Sequence, residues 1–223
     1  PIACCKAWGY PGMRPSLPLL IAVICMLTPL TVAAVDKSEV RKRWHTPYDL
    51  YLSAREAYEL KTSRHDQVTF IDVRTPAEVH YVGIADQIDA NIPYQFDTNV
   101  WRTKSDKIHG YFRKKRNPDF EAAVEKLLKS RGLDKTSPII IMGTAGSRAP
   151  LAAYALHTAG FKEVYTQVEG FEGIKAKSGE HKGKRLVAGW KHEGLPWSYD
   201  FVAAKMYFNF APEKPEAQAP ATK

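Results

Sequence analysis

The stretch PIIIMGTAGSRAPLAAYALHTAG, Pro138 to Gly160, organises the chain. Ile139 to Met142 form an unbroken apolar run, which marks a strand buried on both faces of a parallel sheet. They lead into Gly143-Thr144-Ala145-Gly146-Ser147-Arg148, and an Ala-rich helix follows at once and stops at Gly160. A strand feeding a helix through a tight loop aims several backbone N–H groups at one spot, where the helix dipole adds positive potential. The loop is therefore a candidate anion cradle. It contains no Cys, His, Asp or Glu, which leaves it without an ordinary nucleophile or base.

On the N-terminal side, Leu50-Tyr51-Leu52 predicts a short strand and Ser53-Ala54-Arg55-Glu56 a capping box opening a helix through Leu60. The β-rich run Val68 to Val73 predicts a second buried strand. After Arg74, Thr75-Pro76-Ala77-Glu78 supplies a cap, a proline at the first helical position and a glutamate at the third. Asn91 to Tyr94 reads as a short extended segment, and Asp97 to Asn117 as a long basic loop bearing aromatics. Asn117-Pro118 caps a helix over 119–130 whose Phe120, Val124, Leu127 and Leu128 share a face. Residues 163–168 form another strand, 170–173 a turn, and Trp190 to Tyr199 pack against the body. Alternating strands and helices make an α/β domain with a mainly parallel sheet covered on both faces. No internal repeat is visible.

The three cysteines, Cys4, Cys5 and Cys25, all precede residue 30, so the remainder holds no disulfide, thiolate or Cys metal site. Residues 15–35 carry no charge and end near Val32-Ala33-Ala34, the pattern of a secretory signal peptide. The expected start is Met13, with cleavage after Ala34 and residues 1–12 lying upstream; an uncleaved membrane anchor is the alternative, against which Pro18 and Pro29 count. The expected organisation is an arm over 35–47, a domain over 48–200 and an extension over 201–223 that is disordered at its end. Removing 1–34 leaves 30 basic residues against 24 acidic, a net charge of about +6. The excess gathers at 113–116 and 182–185; in an exported protein these read as solvated loops rather than nucleic-acid contacts.

Taken together, several short pieces resemble the rhodanese family: Phe70-Ile71-Asp72-Val73-Arg74 with Pro76 and Glu78, Asn91-Ile92-Pro93, and Ile139-Ile140-Ile141 before a six-residue loop. Gly160-Phe161-Lys162-Glu163-Val164-Tyr165 and Glu169-Gly170-Phe171-Glu172-Gly173 continue the match, and 189–199 is similar to an exported single-domain branch. The resemblance implies a three-layer α/β/α fold with a sheet of about five strands. It also implies a sulfurtransferase in which a Cys opening the loop carries sulfur as a persulfide, within the pattern Cys-x-x-Gly-x-Arg. Here the pattern reads Gly143-x-x-Gly146-x-Arg148. The glycine and arginine match; the nucleophile does not.

A persulfide carrier must be a thiol ionised near neutral pH, and the hydroxyls of Thr144 and Ser147 cannot replace it. The expectation is a binding module whose loop 143–148 holds a small oxyanion such as thiosulfate or sulfate, or docks a partner protein. Residual transfer activity through another nucleophile is the rival. Arg148 either binds the anion or pairs with a buried carboxylate, for which Asp72 is the candidate; Asp72 and Arg74 are supporting residues. A nucleotide loop is disfavoured, because the GxGxxG spacing and the P-loop lysine are both missing. No two of the seven histidines are spaced i, i+4, so neither a metal nor another cofactor is expected. Trp101, Tyr111 and Phe112 read as loop anchors, with a partner-binding patch as the alternative.

Overall fold

A computed structural model describes residues 35–208. The expected signal segment and the end of the C-terminal extension lie outside the described residues. In chain order the elements are β1 (Tyr51–Leu52), α1 (Ala54–Ser63), β2 (Thr69–Asp72), α2 (Pro76–Val82), β3 (Ile84–Ala85), β4 (Ala90–Asn91), β5 (Gln95–Thr103), β6 (Gly110–Arg116), α3 (Phe120–Ser130), β7 (Ile139–Met142), α4 (Ala149–Thr158), β8 (Val164–Gln167), β9 (Ile174–Lys175), β10 (Arg185–Val187) and β11 (Trp197–Ser198).

Five strands form one parallel sheet in the order β1-β8-β7-β2-β4. The register sets Ile71 opposite Ile141 and Phe70 opposite Ile140. Because side chains alternate along a strand, each central strand serves two cores. Ile71, Ile139, Ile141 and Val164 face α3 and α4, where Phe120, Val124, Leu128, Ala152 and Leu156 meet them. Phe70, Ile140 and Met142 face the other way, toward Ala57 and Leu60 of α1, Val79 of α2 and the fully buried Trp190. This double burial is why β2 and β7 read as continuous apolar runs, and it produces the expected three-layer α/β/α arrangement.

The helix starts follow the local sequence. Ser53 and Thr75 each accept from the backbone N–H of the glutamate three residues on, and each glutamate carboxylate accepts from the cap N–H in return. Both capping boxes therefore form as predicted. Asn117 Oδ1 accepts from Asp119 N at 3.0 Å ahead of α3. The arm packs down: Val40 and Thr46 are buried, and Val35 N donates to Tyr51 O. Tyr207, in the first part of the extension, joins the core that faces α3 and α4.

The largest departure from expectation lies between Asp97 and Asn117. This segment is an antiparallel ribbon, β5 against β6, rather than a loop. Alternation was absent because beyond Phe96, which packs against the core at the ribbon's base, neither face of the ribbon belongs to a core, so no side of it had to be apolar. Trp101 and Phe112 sit opposite each other with ring centroids 5.2 Å apart, and Trp101 also covers Gly110, where a Cβ would lie 2.3 Å from its ring. Asp106 Oδ1 accepts from Ile108 N and His109 N to close the turn. The aromatics do not anchor the segment to the domain: Trp101 is 52% exposed and Phe112 60%.

Candidate functional site

Parallel strands bring their C-terminal ends to one edge of the sheet, and the loop after β7 meets the loop after β2 there. Gly143, Thr144, Ala145, Gly146, Ser147 and Arg148 bridge β7 to α4. The turn after β8 fastens this loop from below: Phe171 N donates to Gly143 O at 2.8 Å and Glu172 N to Thr144 O at 3.0 Å. Two glycines make that approach possible. Gly146 has φ +79°, and a Cβ on it would fall 1.8 Å from Val168 O; Gly170 has φ +74°, and its Cβ would meet Ala145 N at 2.3 Å.

Gly143 is different. Its φ lies outside the left-handed region, and a Cβ there would have Arg148 Cβ at 3.3 Å and Ala149 N at 3.6 Å as its nearest neighbours. The first contact is tight and asks for a few tenths of an ångström of give, but no backbone atom blocks the position. Gly146 is thus demanded by shape, whereas Gly143 is not.

Arg148 is held by a carboxylate, though not by Asp72. Its Nη1 donates to Glu78 Oε2 at 2.7 Å and its Nη2 to Glu78 Oε1 at 2.9 Å. Thr144 Oγ1 donates to the same Oε1 at 2.9 Å, while Glu78 Oε2 also accepts from Thr75 N in the capping box. One carboxylate therefore caps α2 and clamps both ends of the loop. Burial works to raise the Glu78 carboxyl, but hydrogen bonding and charge from Arg148, with smaller help from Thr75 N and Lys114, hold it down at about 2.

Asp72 is taken by Arg74, two residues on and wholly buried with it. Arg74 Nε donates to Asp72 Oδ2 at 2.9 Å, and Nη2 reaches both Oδ2 at 2.6 Å and Gly83 O at 2.8 Å. The guanidinium lies 3.9 Å over the Phe171 ring. Asp72 was the natural candidate from sequence, but its near neighbour Arg74 satisfies it locally. This pair supports the floor of the site, and Asn91 Nδ2 ties the same strand end down by donating to Asp72 O and Arg74 O.

Among the described residues, the backbone N–H groups of Thr144, Ala145, Gly146, Ser147 and Arg148 donate no hydrogen bond. That is a row of donors running into the N-terminus of α4 with no protein acceptor assigned to it. Glu78 and Lys114 belong to the site although the sequence reading did not place them there. Glu78 was read as a cap and as part of the rhodanese resemblance, and Lys114 only as part of a basic run; Lys114 Nζ stands 3.8 Å from Glu78 Oε2. No group of three or more His, Cys, Asp or Glu among the described residues is placed to hold a metal ion.

Thr144 next to Glu78 supplies the hydroxyl–carboxylate contact that adjacency in sequence could not show. It makes a poor nucleophile–base pair. A carboxyl held near 2 by an arginine is a weak base, and an alkoxide cannot carry sulfane sulfur.

Residues 53–177 match the rhodanese-like domain family. A crystal structure of Rv0390 from M. tuberculosis superposes with a TM-score of 0.50 at 24% identity, covering 69% of this chain and 99% of that one. The solution structure of a polysulfide-sulfur transferase homodimer from Wolinella succinogenes is similar at 22% identity and a TM-score of 0.34, over 67% of this chain and 77% of that one. A comparison with curated proteins returned no match. With the family matched over more than half its length and a five-stranded parallel sheet carrying the loop at its C-terminal edge, the chain belongs to the rhodanese-like domain family.

Proposed function

We propose that this protein is an exported, periplasmic rhodanese-like domain that works without a sulfur-carrying thiol and uses the loop 143–148 to receive a small oxyanion, thiosulfate or sulfate being the natural probes. One observation carries this reading: five consecutive N–H donors stand unpaired beside Gly143, a position that admits a side chain and has none. The donors are the part of a sulfurtransferase loop that stabilises negative charge, and they are kept; the atom that would carry sulfur is lost. Arg148 contributes field more than contact, because Glu78 already occupies its two terminal nitrogens. The ligand's charge is therefore met chiefly by backbone dipoles, which favours a compact anion over an extended one.

Calorimetric titration of thiosulfate and sulfate into protein beginning at Val35 tests the proposal. Saturable heat with either anion, weakened roughly tenfold or more by Gly143→Asp, is the expected result. No heat with wild type removes the oxyanion and leaves docking of a partner protein as the use of the loop. Sequencing the N-terminus of the periplasmic protein tests export, with Val35 the expected first residue.

A further inference from the structure

Of the fourteen large apolar side chains exposed among the described residues, five fall within residues 100–112: Val100, Trp101, Ile108, Tyr111 and Phe112. A two-stranded ribbon is marginal by itself, and an exposed apolar strand invites pairing with another chain. The register sorts the ribbon into two unlike faces. Trp101 opposite Phe112 lies on one; Arg102 opposite Tyr111 lies on the other, and Arg113 and Lys115 follow Tyr111 on that face at alternate positions of β6.

Charge is distributed as unevenly. The segment 95–116 holds seven Lys and Arg against two Asp. Asp97 pairs with Lys114 and Asp106 with His109, whereas Arg102, Arg113 and Lys115 make no ion pair among the described residues. The edges differ too. β5 is broken by a register shift between Asp97 and Trp101, which blunts it. β6 runs without one from Gly110 to Arg116, and its side away from β5 has no neighbouring strand among the described residues.

We propose that the free edge of β6 is the docking site for an extended acidic segment of a partner protein, added as a third strand. Alternate residues of that strand point to opposite faces, so acidic side chains meet Arg102, Arg113 and Lys115 while apolar ones extend the Trp101–Phe112 face. Charge complementarity selects this occupant. The turn at the ribbon's tip carries Lys104, Ser105, Asp106 and Lys107 with a single apolar side chain, Ile108, too little for a bilayer wedge, and the cations without an ion pair, Arg102, Arg113 and Lys115, share one face of the strands. The ribbon is rooted at the candidate site, since Lys114 Nζ lies 3.8 Å from the Glu78 carboxylate that clamps the loop. A segment bound on β6 is delivered beside residues 143–148.

The test uses protein beginning at Val35 and a fluorescein-labelled peptide of alternating Glu and Val, with an alternating Lys and Val peptide as control. Fluorescence anisotropy is expected to give saturable binding of the Glu peptide that weakens on the order of tenfold between low and physiological salt. The triple variant R102E/R113E/K115E is expected to lose it by roughly tenfold or more with an unchanged thermal midpoint, because all three side chains are exposed. No binding by wild type, equal binding of the Lys peptide, or undiminished binding by the folded triple variant overturns the proposal. So does tighter binding to phosphatidylglycerol vesicles or duplex DNA than to the Glu peptide. Because none of these residues belongs to the loop, loss of oxyanion binding and loss of peptide binding are separable results.

Discussion

Strand β2 has a charged cluster at each end. At its start, the buried Lys61 ammonium donates to His65 O and Val68 O at 2.8 Å and to Asp89 at 3.0 Å, so each of its three protons has an acceptor. Asp89 in turn accepts from Phe70 N at 2.7 Å and pairs with Arg131. Burial pushes the Lys61 pKa down, and Asp89 works against it. At the other end, Glu78, Arg148 and Thr144 also close a network, but around a loop whose own N–H groups are left without acceptors. In the first cluster every Lys61 proton finds an acceptor within the protein, with only Arg131 Nε left without a partner, and the cluster holds the chain together. The second holds a loop in shape and leaves its N–H donors without a protein acceptor, as the proposed binding requires. A buried network that stops short of satisfying its neighbours is what a binding site requires and a staple does not.

The contrast can be broken from the Lys61 end. Lys61→Met leaves Asp89 buried with fewer donors and strips two carbonyls of their partner, which is expected to cost about 3–5 kcal/mol in urea unfolding. Oxyanion titration of whatever remains folded should be unchanged. A loss below about 1 kcal/mol would mean the cluster is not the staple described.

At the loop end the expected loss is smaller and depends on pH. Holding Glu78 at about 2 instead of 4.5 corresponds to roughly 3 kcal/mol. The folded value is the lower one, so this stability is fully present above about pH 4.5 and drains away as pH falls toward 2. Glu78→Gln is therefore expected to be less stable than wild type by about 2–3 kcal/mol at pH 7, with the two converging in acid. A difference that stays constant with pH would show that Glu78 acts through packing rather than charge.

The smallest effect sharpens the distinction between the two loop glycines. Gly143→Ala is expected to change stability by about 1 kcal/mol or less, since its φ is ordinary and its nearest contact can yield. Gly146→Ala must displace the Val168 carbonyl and adopt a left-handed backbone, and is expected to cost about 3 kcal/mol or more. Thermal or urea unfolding of the pair decides whether shape or chemistry put a glycine at residue 143.

What the sequence revealed and what it concealed divide along the same physical line. The central strands were legible because double burial forces an unbroken apolar run, and both helix caps because a capping box spans only three residues. Glu78 was legible as a cap, but its bond to Arg148 joins groups 70 residues apart, and nothing local announces it. Asp72 was drawn toward Arg148 by its place at a strand end, while Arg74, two residues away, had already claimed it. The β5–β6 ribbon was missed because a strand pair with no buried face has no obligatory pattern; its signal was the β-rich run 100–103 and Tyr111-Phe112 on either side of the polar 104–107.

In the proposed reading the loop is a sulfurtransferase cradle that lacks only its thiol. A thiosulfate:cyanide assay on protein beginning at Val35, in wild type and Gly143→Cys, tests this directly. A cysteine thiolate there would take the outer sulfur of thiosulfate, releasing sulfite, and cyanide would remove it as thiocyanate. The prediction is no thiocyanate from wild type above the protein-free rate, and turnover in Gly143→Cys with one added sulfur detectable by mass spectrometry. Turnover by the Cys-free wild type, or a folded Gly143→Cys that never takes up sulfur, would contradict it.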